Sequence, residues 1–244
     1  MKISDTLKDI TFVTITFNDL NIDDTFTSYK NLLDYGASLI VVNGGKKLNL
    51  ELKETINHPN TVVIEESDNG RYDALNKGIT RVSTTYFMLI HAGDHLLLNK
   101  NQVEAILNEM YVGDLDLVLG NQFISFYGKM RKHTITYWSP FMTYIGAQPP
   151  HMPIIYRTNF TKILSYNQDS NIIADHIYLS ELFKKKPKWI KSKLFHIRME
   201  GGGVTSSGLS SFFTVSNEFR KEYGFIRSFF MTIFRIPLKF VQML

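Results

Sequence analysis

Short apolar, β-branched runs alternate with longer stretches of helical spacing through the first half of the chain. Residues 11–17 (TFVTITF), 37–42 (ASLIVV), 61–66 (TVVIEE), 85–90 (TYFMLI) and 115–120 (LDLVLG) read as strands. Several of these runs are continuously apolar, as strands covered on both faces are. Between them, residues 23–35, 50–58, 72–80 and 101–110 are long enough and suitably spaced for helices. Such alternation predicts βαβ units and a mainly parallel α/β sheet. Beyond residue 120 the pattern changes. QFISFYGKMRKHTITYW reads as an antiparallel hairpin turning near Gly128, and AQPPHMPIIYR as a proline-rich crossing segment that cannot be a helix interior. NIIADHIYLSELFKK resumes helical spacing, WIKSKLFHIRM reads as a strand and EGGGVTSSG as a flexible loop.

In open sheets of this kind ligands sit beyond the carboxyl ends of the strands. The residues there are Asn18-Asp19, Asn43-Gly44-Gly45, Ser67-Asp68-Asn69-Gly70 and His91-Ala92-Gly93-Asp94. Asn, Asp and Gly also build ordinary loops, but four polar or glycine-bearing ends converge on one sheet edge. Asp94 stands beside Gly93, where backbone can approach a ligand and a carboxylate oxygen can reach a hard cation; it also suits a turn or the cap of the helix starting near Asn99. His91 and His95 flank it, and imidazole tolerates manganese better than magnesium. Arg71 beside a helix start suits a diphosphate. Asp73, Asn76 and Lys77 follow on the first turns, with Asp73 and Asn76 on related faces; ordinary helix-start roles fit these residues equally. Asp175 and His176 open an amphipathic helix, where a carboxylate can take a proton from an incoming hydroxyl or simply cap the helix.

The chain has 244 residues, 44% of them hydrophobic, which is enough for a substantial core in one large domain or one domain plus an appendage. It contains no cysteine, which excludes disulfides, thiolate metal sites and a cysteine nucleophile and fits a reducing compartment. The N-terminal MKISDTLKDI lacks the pattern of a secretory signal. A formal charge of +4 fits contact with phosphates or anionic lipid head groups, and no nucleic-acid motif accompanies it. The C-terminal GFIRSFFMTIFRIPLKFVQML is aromatic and apolar but interrupted by Arg227, Arg235, Pro237 and Lys239, too broken for a membrane span. It reads either as an amphipathic segment lying on a membrane surface or as a terminal helix packed on the protein's own core or a second subunit, which makes a homodimer compatible with it.

Taken together, TITFND, VVNGG, ESDNGRYDALNKGI, YFMLIHAGDHL, PHMPIIYR, IIADHIY and GGGVTSSG resemble, in order, the family 2 glycosyltransferases, in particular the small bacterial enzymes that build surface polysaccharides of the O-antigen and capsule type. The resemblance covers about residues 11–210. It implies a GT-A fold in a single domain over residues 1–222, with a nucleotide-sugar-binding half to about 120, an acceptor-side half after it and a basic aromatic tail over 223–244. It also implies inverting transfer of a sugar from a nucleotide-sugar, a UDP-sugar above all, to a hydroxyl of a lipid-linked glycan, by a cytoplasmic protein peripheral on the inner membrane. Carried over by position, Thr16, Asn18, Asn43 and Asp68 would line the nucleoside pocket, and Arg71, Asp73, Asn76 and Lys77 would lie near the diphosphate and donor sugar. Asp94 would ligate Mn2+ or Mg2+, and Asp175 would be the catalytic base. His151 matches an acceptor-side histidine, and Gly202, Gly203, Ser206 and Ser207 a mobile loop that can close over the substrates. Two positions depart from the family pattern: Asn43 stands where aspartate is usual, and His91 where asparagine is common. They keep open a binding protein of the same fold without turnover. TFVTITFNDLNIDD has neither the glycine nor the lysine that a nucleotidylyltransferase would carry there. Opposed carboxylates would also serve glycoside hydrolysis, against which the nucleotide-pocket pattern argues.

Overall fold

The computed structural model describes residues 7–18, 21–126, 129–133, 138–169, 172–200 and 208–243. The first half is a run of βα units. β1 (Ile10–Thr16), β2 (Ser38–Asn43), β3 (Thr61–Glu65) and β4 (Tyr86–His91) pair in parallel in the order β3-β2-β1-β4. β1 is buried at all seven positions, consistent with its central place and its unbroken run of apolar and threonine side chains. Helices α1 (Ile22–Asp34), α2 (Leu50–Thr55), α3 (Arg71–Arg81) and α4 (Lys100–Val112) connect or follow these strands. Each predicted strand and helix of this half is found within a few residues of its expected limits. α4 starts at a capping box in which Asn99 accepts from the Gln102 N–H while the Gln102 side chain accepts from the Asn99 N–H. Asp94 therefore does not cap that helix.

The second half extends the same sheet with mixed polarity. β5 (His95–Leu96), β6 (Leu117–Phe126), β7 (Lys129–His133), β8 (Ile154–Arg157) and β9 (Trp189–Glu200) complete a nine-stranded sheet among the described residues, continuing β4-β8-β6-β9-β5 with β7 on β6. β6 and β7 form the expected antiparallel hairpin; Gly128 itself lies outside the described residues. β8 runs antiparallel to both β4 and β6. The expected crossing segment thus ends in a strand, because the apolar IIYR after the last proline fills the gap between them. The pairing of β6 with β9 is parallel and shifts register between Leu119 and Asn121. Gly120 lies in that irregularity, where a Cβ would overlap the Phe195 ring. The result is the GT-A form of the α/β fold.

Short helices α5 (Phe141–Tyr144) and α6 (Thr158–Thr161) bracket β8, and α7 (Ala174–Lys184) follows. α8 (Gly208–Met243) is interrupted at Gly224, whose φ of 75° and ψ of 175° are non-helical. The chain folds back there: Arg235 stacks over Phe212 and Phe219 at 5.4 and 5.2 Å, a proximity that a straight helix of 1.5 Å rise would not allow. Of the two readings of the tail, packing on its own chain holds for one face, with Met231 buried against Val215, Phe219 and Ile173.

α3 lies on β1 and β2 at Gly78, where a Cβ would overlap Val13 and press on Val42. Gly78→Ala gains about 1 kcal/mol of helix propensity but overpacks the interface by about 1–3 kcal/mol. The expected result is net destabilisation, read as a lower urea midpoint with unchanged slope.

Candidate active site at the strand ends

The carboxyl ends of β1 and β4 and the start of α3 enclose a cleft of about 520 Å³. β1 supplies Ile15, Thr16 and, just beyond its end, Phe17; the loop before α3 supplies Asp68 and Gly70; α3 supplies Arg71 and Ala74; β4 supplies His91 and the adjoining Ala92. Phe17 is 66% exposed, an aromatic face turned to a concave surface. The loops fit together closely. The Asp68 carboxylate accepts from the Gly70 N–H at 3.0 Å and lies against Gly44, where any Cβ would overlap it. Asn18, in the left-handed region at φ 56°, accepts from the Lys46 N–H and fills the space over Gly45. Gly70, at φ 104°, turns the chain into α3, which starts without a side-chain cap. Arg71, the first residue of this uncapped helix, lines the cleft, and a guanidinium at a helix start suits an anion.

The structure separates the residues expected at the diphosphate. Arg71 and Ala74, one turn apart, face the cleft. Asp73, Asn76 and Lys77 do not line it and are held elsewhere. Asp73 accepts from the Asn69 N–H at 3.0 Å and the Gln168 amide at 3.1 Å and pairs with Lys77 at 3.1 Å. Those contacts, the Asn69 bond foremost, hold its carboxyl below the usual range. Lys77 also donates to the Ser67 carbonyl at 2.6 Å. Asn76 exchanges two hydrogen bonds with the Tyr166 backbone at 2.9 and 2.8 Å, tying α3 to the second half. Asn43 is fully buried, its amide donating to the Lys46 carbonyl at 2.7 Å and accepting from the Gly45 N–H at 3.2 Å. It shapes the turn and does not line the cleft.

Three side chains stand in a row that starts at His91 in the wall of the cleft. The His91 and His151 ring centroids are 5.7 Å apart, and His151 Nδ1 is 3.5 Å from Asp175 Oδ2. His91 Nε2, His151 Nε2 and Asp175 Oδ1 are all buried without a hydrogen-bond partner, which is costly unless a ligand or water completes them. Burial above all, with His151 and Arg71 nearby, pushes the His91 imidazole down to about 3. Asp175 lies in the first turn of α7 but does not cap it. The neighbouring His176 is structural: Nε2–H donates to the Thr143 carbonyl at 2.9 Å and Nδ1 lies 3.2 Å from the Tyr223 hydroxyl, linking α5, α7 and α8. Beside Asp175 lies a tyrosine stack, Tyr72 on Tyr166 at 5.4 Å and Tyr166 on Tyr178 at 4.2 Å. Burial raises all three hydroxyls, and the Asp175 charge adds to that rise for Tyr72 and Tyr166. Neither Phe17 nor this stack is foreseen in the sequence, where aromatic residues read as core.

Asp94 is 5% exposed, its N–H donating to the His91 carbonyl at 3.0 Å, and Gly93 before it, at φ 92°, donates to the Thr25 hydroxyl at 2.8 Å. Among the described residues no three His, Asp or Glu side chains are gathered to hold a metal. One carboxylate at a strand end fits a hard cation carried mostly by phosphate oxygens and water; it does not fit a resident metal. Gly202, Gly203, Ser206 and Ser207 lie outside the described residues.

The model of glycosyl transferase family 2 matches residues 11–172. The chain belongs to that family. No curated protein matches it. Among solved structures, S. aureus TarS is similar with a TM-score of 0.59 at 10% identity, over 87% of this chain and 40% of TarS. TarS 1-349 in complex with UDP-GlcNAc gives 0.62 at 13%, over 87% and 66%, and the complex with UDP gives 0.58 at 12%, over 87% and 65%. The chain therefore spans less than two thirds of these TarS chains, and the likeness is one of fold.

Two buried imidazoles make stability depend on pH. His91 is held down to about 3 and His176, chiefly by burial, to about 4, against an ordinary value near 6.5. Their neutral forms stabilise the fold fully above about pH 6.5, and that contribution is lost as pH falls through 6.5 toward 4, because the unfolded chain binds more protons. Urea unfolding at pH 5 should show about 2–4 kcal/mol less stability than at pH 7, and His91→Asn should reduce that dependence.

Proposed function

We propose that the protein is an inverting glycosyltransferase that moves a sugar from a UDP-sugar to a hydroxyl of a lipid-linked glycan, in bacterial surface polysaccharide synthesis at the cytoplasmic face of the inner membrane. The observation that carries the reading is the placement of the Asp175 carboxylate next to His151, itself next to His91 in the wall of the strand-end cleft. Family membership supports the reaction class. The TarS complexes with UDP and with UDP-GlcNAc support the nucleotide.

In this reading the base rests on Phe17 and the pyrophosphate meets Arg71 and the open start of α3, with Thr16 and Asp68 at the nucleoside. The acceptor hydroxyl gives its proton to Asp175 as its oxygen bonds to the anomeric carbon. The bond from that carbon to phosphate breaks on the opposite face, and its electron pair leaves with UDP. Arg71 and the helix start balance the charge that develops there. Bound beside Asp94 and the diphosphate, Mn2+ or Mg2+ would add Lewis-acid stabilisation of the same charge. Asp175 is suited to its part by a rigid seat: the tyrosine stack beside it and the His176 contacts on α7 fix its direction.

Asp175→Asn should lower turnover by about 10²–10⁴-fold while UDP affinity, read by calorimetry, stays at the parent value; retained turnover would remove Asp175 from the role of base. Mn2+ titrated alone should give no saturable heat, whereas Mn2+ with UDP should bind and Asp94→Ala should abolish the metal's effect. Phe17→Ala should weaken UDP by about tenfold, the worth of one stacked base.

A further inference from the structure

The second arm of α8, over residues 225–236, packs one side on the protein and leaves an apolar side exposed, where an ordinary surface helix turns a polar side outward. Ser228 and Met231 are buried against the protein, and Arg235 reaches the same side to stack over Phe212 and Phe219. Burial lowers Arg235 to about 10, so it is cationic at neutral pH yet withdrawn from the surface. On the other side Phe225, Ile226, Phe229, Phe230, Ile233 and Phe234 stand 64, 75, 52, 53, 43 and 49% exposed. Their spacing of one, three and one residues places them in a single stripe along the helix. An apolar stripe of this extent marks a contact surface.

The charges around the stripe favour one kind of partner. Residues 225–243 contain no acidic residue, and Arg227 stacks over Tyr144 and Tyr223 at 5.5 and 4.1 Å on the protein side. Arg220 of the first arm lies over the Phe225 ring at 5.2 Å, at a groove of about 600 Å³ between the arms that Phe213 and Phe229 also line. Of the two carboxylates nearby, Glu218 is held by Lys221 at 2.6 Å, while Glu222 is exposed. We propose that this stripe lies in the interfacial layer of a bilayer bearing anionic head groups, phenyl rings and isoleucines among the upper acyl chains and Arg220 at the phosphates. An aromatic, aliphatic stripe with an exposed arginine at one end and no carboxylate along it suits that interface. A second copy suits it less, since a two-fold pairing would set an arm without a single carboxylate against itself. Nor is the arm a span: among the described residues no helix is long and apolar enough to cross a membrane. None of these residues lines the strand-end cleft, so the inference stands independently of the donor-site reading.

The test is sedimentation of the full chain with vesicles of phosphatidylcholine alone and of phosphatidylcholine mixed with phosphatidylglycerol. Binding to the mixed vesicles is expected, weakening as salt rises and falling by about tenfold or more in Phe229→Ser/Phe230→Ser. That variant should keep the parent's circular dichroism and melting temperature, because both rings are half exposed. Arg220→Glu, which touches no core position, provides a second variant and should also weaken binding to the mixed vesicles. Three results would overturn the proposal: protein left in the supernatant with both vesicles, equal binding to both, or a homodimer that the double phenylalanine variant dissociates.

Discussion

Helix α3 can lie on β1 only because position 78 carries no side chain, and much of the candidate site follows from that contact. With Gly78 seated against Val13 and Val42, the axis of α3 is fixed relative to the strand ends, and its first turn is delivered to the cleft with Arg71 facing in. The opposite side of the same helix is then available to hold other parts. Asp73 and Lys77 close the loop before it, and Asn76 grips the Tyr166 backbone. One helix thus orients the anion-binding corner and anchors the segment on which the tyrosine stack is built.

That stack gives the second half its chemistry. Tyr72 comes from α3, Tyr166 from the loop it holds and Tyr178 from α7, so the two halves of the sheet meet in a rigid aromatic seat beside Asp175. The row from His91 through His151 to Asp175 leaves buried nitrogen and oxygen atoms without partners. Buried polar atoms of this kind are completed by a ligand or by water. Arg71 brings positive charge to the cleft, and Asp175 is joined to its wall through His151 and His91. The reaction proposed above, with a donor that departs as an anion and an acceptor that loses a proton, calls for charges of those two signs.

The first half of the fold was legible because its signals are local: apolar runs of strand length, helices of matching period, and polar strand ends whose position follows from parallel pairing. The second half was less so. β8 is four residues behind a proline-rich segment and β5 only two, too short for periodicity, and the placing of β6 beside both β8 and β9 is non-local. At the site, Thr16, Asp68, Arg71 and His91 are found in one cleft as their strand-end and helix-start positions suggest. Asp73, Asn76 and Lys77 differ because proximity in sequence does not fix helical phase: Arg71 and Ala74 share the cleft side and the others turn from it. Asn43 is taken up by its own turn, a local hydrogen-bond competition that residue type alone does not disclose. Phe17 and the tyrosines give no signal in the sequence, since an aromatic in a run of apolar residues carries no mark of whether it faces core or ligand.

If a nucleotide diphosphate binds at the strand ends against the face of α3 that Arg71 presents, calorimetric titration of the protein with UDP, repeated on Arg71→Ala, will register it. A single saturable site is expected in the parent, weakened about tenfold or more in the variant with its melting temperature unchanged. Absence of binding by UDP, GDP and dTDP alike, or UDP binding that is indifferent to Arg71, would contradict that placement.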